Sequence, residues 1–109
     1  MSTLLIMYVT GGILLTLIAI PLYFGKIGPN GLYGFRVKKT MENPEIWYPV
    51  NQYSAGWLML TGVLTVLCAV GLSFVPGLSV DTYALVCLAV FAGVITVGLV
   101  MTVRYMNSL

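Results

Sequence analysis

Three apolar runs, at about residues 4–24, 52–75 and 82–103, leave this chain little choice of environment. Each is close to the roughly 20 residues a helix needs to cross the ~30 Å hydrocarbon layer of a bilayer. A chain of 109 residues cannot build a water-soluble core large enough to bury all three. Charge agrees, since 7% of residues are charged against roughly 25% in soluble domains. Within lipid the backbone must satisfy its own hydrogen bonds, so runs of this length are helices. The expected fold is an all-α membrane protein, a single membrane domain over residues 1–109 with three transmembrane helices.

The first run, Leu4 to Phe24, is longer than the core of a signal peptide. No basic residue precedes it and no small-x-small cleavage site follows it, so it reads as a retained helix. Gly11, Gly12 and Thr16 are its candidates for close helix contact. Pro21 is expected to kink its last turn. In the second run Thr61, Gly62, Thr65, Cys68 and Ala69 recur at spacings that share one helix face, which predicts a face that meets another helix. Tyr53 and Trp57 stand near its start, where aromatic rings collect at a membrane surface. Residues 76–81 form a short turn punctuated by Pro76-Gly77, with Ser79 or Asp81 as the cap of the third helix. That helix carries another small surface, formed by Ala89, Ala92, Gly93 and Thr96.

The segment between the first two runs, residues 25–51, holds most of the polar chemistry. It includes Lys26, Arg36, Lys38 and Lys39 among the basic residues and Glu42 and Glu45 among the acids. Pro29-Asn30-Gly31 signals a turn, and Gly34 permits a second tight bend. Tyr33 and Phe35 flank that bend. Arg36, Lys38 and Lys39 present positive charge suited to anionic lipid headgroups or to a partner's phosphate or carboxylate. Asn43, Pro44 and Glu45 have the order of a helix start: a cap, a first-turn proline and an acid at the positive end of the dipole. A short interfacial helix is expected there, with Trp47 anchoring it at the membrane surface and Pro49 kinking or ending it. Asn51 would then precede the second membrane helix. Aromatics interleaved with turn residues predict a structured interfacial loop rather than a flexible linker.

Basic residues favour the cytoplasmic side. The segment at 25–51 holds four of them, the turn at 76–81 none, and Arg104 follows the third run. The expectation is an N-terminus outside, the long loop in the cytoplasm and the C-terminus inside. The formal charge of +2 gives no reason to expect nucleic-acid binding. There is no histidine, which removes the commonest acid-base and metal-ligating side chain. Cys68 and Cys87 both lie within apolar runs and read as small packing residues, not a disulfide framework. No catalytic group, cofactor site or metal site is expected, and Glu45 is accounted for by its place at a helix start.

The spaced residues Asn30, Tyr33-Gly34, Arg36, Thr40, Trp47 and Asn51 resemble the hallmark of the SdpI family of bacterial integral membrane proteins. Asn43 falls in the polar stretch between them. Where the family often has glycine four residues after the last asparagine, this chain has Ala55, with Gly56 one place later. The resemblance implies a cytoplasmic-membrane protein similar to a namesake that protects its producer from a secreted, membrane-active toxin. That namesake also holds a transcriptional repressor at the membrane. It has further membrane helices before the shared domain, so this chain resembles a short form with the shared C-terminal domain alone.

Three classes of function follow. The first is an immunity-like or signalling role through the cytoplasmic loop, with a membrane-protein partner. The second is an accessory subunit of a larger membrane complex. The third is a minimal transporter built as a homo-oligomer, a weaker reading because no charged residue lies mid-helix, where pathways usually place one. The residues expected to build the loop or meet lipid and partner are Asn30, Tyr33, Gly34, Arg36, Lys38, Lys39, Thr40, Asn43, Trp47 and Asn51.

Overall fold

The computed structural model describes residues 2–109. Among them the chain forms α1 (Ser2–Tyr23), α2 (Lys38–Glu42), α3 (Pro44–Leu72) and α4 (Val80–Asn107). The array measures 52 × 23 × 18 Å. α1, α3 and α4 are each long and apolar enough to cross a membrane. α3 is the central helix, packed on one side by α1 and on the other by α4. α1 and α4 approach each other where the Tyr8 hydroxyl donates to the Ala84 carbonyl at 3.0 Å and the Tyr8 ring meets Tyr83 edge-on.

Two boundaries differ in kind from the sequence reading. The second membrane helix begins at Pro44, not near residue 52, because the expected interfacial helix and the membrane helix are one continuous element. Pro49 lies inside it and neither ends it nor separates two helices. A proline there removes only the bond to the carbonyl four residues back, that of Glu45. That bond lies in the second turn of the helix, and Glu45 itself is exposed. At 1.5 Å per residue, the 29 residues of α3 span about 43 Å, well beyond the hydrocarbon thickness. It is therefore long enough to cross with turns to spare. The helix also stops earlier, at Leu72 rather than 75, and α4 runs longer than expected, through Asn107.

The α1–α3 seam is set by two glycines. A Cβ added to Gly62 would lie 2.5 Å from the Gly12 carbonyl oxygen, and one added to Gly12 would lie 2.7 Å from that of Gly62. Backbone meets backbone, the close approach that small residues permit in lipid. Thr61, Gly62, Thr65 and Ala69 are buried, so the small stripe on α3 does face its neighbours. A Cβ added to Gly11 would meet open space. On α4 the face turned to α3 is Tyr83, Cys87, Gly98, Thr102 and Met106. Gly98 makes room for Trp57, whose Cβ would stand 2.7 Å from a Cβ at that position. Trp57 is thus a mid-helix packing residue, displaced from the interface by the earlier start of α3. Ala89, Ala92, Gly93 and Thr96 are exposed, so the small surface expected on α4 is left uncovered by this chain's other helices.

Ser79 caps α4, its hydroxyl accepting from the Thr82 N–H at 3.1 Å. At the opposite end Tyr53 of α3 stacks on Tyr105 of α4 with ring centroids 4.6 Å apart. The last turn of α4 therefore lies beside the first turns of α3. All five basic residues belong to that end: four in residues 26–39 and Arg104 in the last turn of α4.

Candidate functional site

Residues 24–43 do not hang free between the helices. They fold over the first turns of α3 as a cap, and each constraint has a named origin. Asn30 organises the first turn. Its amide oxygen accepts from the N–H groups of Leu32 (2.8 Å) and Tyr33 (2.9 Å). Its amide nitrogen donates to the carbonyls of Gly28 (2.9 Å) and Tyr33 (3.0 Å). An asparagine amide has two donor hydrogens and two acceptor lone pairs, so its capacity is fully used within its own turn. Tyr33 and Ile27 then pack on the buried cluster of Ala19, Leu22 and Ala55. Ala55 occupies the tight position between α1 and α3, while Gly56 has only the Tyr23 ring nearby.

Trp47 is the pin of the cap. Its side chain is fully buried and its indole N–H donates to the Ile27 carbonyl at 2.8 Å. The sequence reading placed Trp47 at the membrane surface as an anchor. The structure instead buries it beneath the cap, because residues 27–35 fold across it, and Tyr48 takes the exposed position beside it. Asn51, one turn further along α3, is also buried. Its amide oxygen accepts from the Phe35 N–H and its nitrogen donates to the Trp47 carbonyl at 3.0 Å. Gly34 is what lets the chain come so close. Its φ is 120°, a region that favours glycine. A Cβ there would lie 2.8 Å from the Trp47 ring and 2.9 Å from the Asn51 oxygen.

Thr40 closes the second half. It is fully buried and its hydroxyl reaches the carbonyls of Phe35 (2.8 Å) and Val37 (3.0 Å) while accepting from the Val37 N–H at 3.0 Å. Asn43 stands at the cap position of α3, but its side chain accepts no bond from the helix's free N–H groups. It donates back to the Lys39 carbonyl at 2.9 Å and so ties α2 to α3. Lys39 reaches across to α4, its ammonium donating to the Met106 carbonyl at 3.1 Å. Met106 lies in the last turn, where free carbonyls and the negative end of the helix dipole favour a cation.

Ten residues were predicted to matter, and the structure sorts them into three groups. Asn30, Tyr33, Gly34, Thr40, Trp47 and Asn51 form one interlocked unit. Asn43 and Lys39 tie that unit to α3 and α4. Arg36 and Lys38 are exposed on its outside and take no part in the bonds that hold it. Sequence reasoning missed Ile27, whose carbonyl receives the Trp47 indole N–H, and Phe35, whose N–H donates to Asn51 and whose carbonyl accepts from Thr40. Both contribute backbone groups, which any residue type supplies. Beside the cap, an apolar cleft of about 460 Å³ opens between α1 and α4, lined by Ile18, Tyr33, Phe35, Trp57 and Ile95 among others. Among the described residues no cluster of side chains is suited to hold a metal ion.

The model of the SdpI/YfhL protein family matches residues 26–103, which takes in nearly all of the cap, α3 and most of α4. No curated protein and no solved structure matches the chain.

Proposed function

The chain belongs to the SdpI/YfhL protein family, and from that premise we propose an immunity-like or signalling role exercised through the cap. One observation supports it: the cap is internally satisfied by Asn30, Thr40, Trp47 and Asn51, yet leaves Arg36 and Lys38 exposed on its surface. With the backbone beneath them already fixed, these cations lose only side-chain freedom on binding, which favours a specific partner over loose attraction. Arg36, with its planar fork of donors, suits a carboxylate or phosphate best. The partner is a membrane-associated protein or anionic lipid at the cytoplasmic face of a bacterial membrane.

The experiment is survival of a bacterial host challenged with a membrane-active peptide toxin, with and without this chain. Protection that falls at least about tenfold in Arg36→Ala, with the variant still present in the membrane, agrees with the reading; tenfold corresponds to one lost interaction of about 1.4 kcal/mol. Absence of protection together with a stoichiometric large partner on co-purification selects the accessory-subunit reading. The exposed small face of α4, Ala89 with Gly93, favours that second reading as a docking surface for another helix.

Orientation is part of the proposal. The clustering of basic residues at the capped end supports a cytoplasmic location for it. With Cys68 and Cys87 replaced, a single cysteine at position 38 should react with a membrane-impermeant maleimide only after the membrane is opened. One at position 79 should react in intact cells. The opposite pattern overturns the orientation.

A further inference from the structure

Cys68 on α3 and Cys87 on α4 stand with their sulfur atoms 3.8 Å apart, and both are free thiols. The approach is held from both sides. Ala69, next to Cys68, accepts the Tyr83 hydroxyl at 2.8 Å, and Tyr83 lies one turn before Cys87. Ala69, Tyr83 and Cys87 form a buried cluster with Leu72, Leu78 and Leu4 packed on it. A disulfide needs about 2 Å between sulfurs, so two thiols already in contact across a fixed helix pair are close to bonding distance.

Access is one-sided. Cys87 is fully buried, whereas Cys68 is partly exposed. Cys68 lines a shallow depression with Leu64, Leu67, Ala89 and Gly93. That depression lies on a membrane-spanning face and its lining is apolar, so a reagent must arrive dissolved in the hydrocarbon. We propose that Cys68 and Cys87 form a dithiol site that a membrane-dissolved oxidant of the quinone class converts to an intramolecular disulfide. Two S–H bonds break and one S–S bond forms. The two electrons and two protons pass to the quinone, which leaves as quinol. The product staples α3 to α4 near the Pro76-Gly77 turn, independently of the role of the cap.

The test uses the full chain in phospholipid nanodiscs under argon, with decylubiquinone in the bilayer. The expected result is one quinol per chain, loss of both thiols to alkylation after denaturation, and a chain that runs as a monomer without reductant. The thermal midpoint should rise on the order of 10 °C, since a loop of this size is constrained in the unfolded chain, and return on reduction. Cys68→Ser and Cys87→Ser should each keep the remaining thiol and show no rise. Wild-type chain whose thiols stay alkylatable, while a lipid-soluble dithiol in the same discs is oxidised, overturns the proposal. So does a disulfide between chains in place of one within the chain.

Discussion

Replacing Trp47 with alanine is expected to raise amide exchange across residues 27–36 on the order of 100-fold in a bilayer mimetic. Three losses coincide at this side chain. A fully buried indole is removed, which leaves a cavity beneath Gly34. The Ile27 carbonyl loses its donor. The backbone at Gly34, which lies against both the Trp47 ring and the Asn51 amide oxygen, loses one of its two supports. Truncating a buried tryptophan costs about 3–5 kcal/mol, and here the cost falls on a local unit rather than on the three long helices. The membrane helices should therefore keep their protection while the cap opens. Lys38→Ala, on the exposed outside of the same cap, should change exchange by less than about 0.5 kcal/mol. Equal exchange in wild-type and Trp47→Ala chains would show that the tryptophan is not what holds residues 27–36 down.

Gly62→Val is expected to separate α1 from α3. The two nearest atoms that a Cβ would meet at Gly62 are the Thr16 hydroxyl oxygen and the Gly12 carbonyl oxygen. The first can rotate aside. The second is backbone, so the helices themselves must move. Overpacking a well-filled site costs about 1–3 kcal/mol, occasionally more, and a backbone-on-backbone contact belongs at the upper end of that range. Gly12→Val meets the same seam from the other side, with the Gly62 carbonyl oxygen 2.7 Å from its Cβ. Gly11→Val, one residue away, has open space before it and should be neutral. A thermal melt in mild detergent should show two destabilised variants and one unchanged. Three equal midpoints would mean that α1 is not seated on α3 through these glycines.

Lys39→Ala should have a smaller, separable effect. The residue donates to the Met106 carbonyl, so its loss should increase exchange at the last turn of α4 by a few-fold, in line with the ~0.3–1 kcal/mol of a cation at a helix C-terminus, and leave the Trp47 region protected.

Much of this could be read from one chain without a structure. Run length and near-absence of charge dictate three helices, because lipid offers the backbone no other partner. The side on which the basic residues gather followed from their order along the chain. The SdpI resemblance followed from side chains at fixed spacing, and six of its residues, from Asn30 to Asn51, meet in the cap. The α3 stripe was legible because residues on one helix face repeat at three and four.

Other features required the tertiary structure. Pro49 looks like a helix end in sequence, but a proline costs a helix one hydrogen bond, and the packing of α3 along its length carries the helix through it. The two small surfaces on α4 and α3 look alike in sequence, yet only the one on α3 is covered. Tyr83, Cys87 and Gly98, not Ala89 and Gly93, turned out to face α3, because a helix that is apolar all round carries no stripe to mark its buried side. Trp47 reads as an interfacial aromatic until residues 27–35 are seen to cross it. The 3.8 Å approach of Cys68 to Cys87 likewise exists only once α3 and α4 are packed. Local sequence determines which elements form and how polar each end is. Which faces meet depends on the shape of the neighbouring helix, and that information lies elsewhere in the chain.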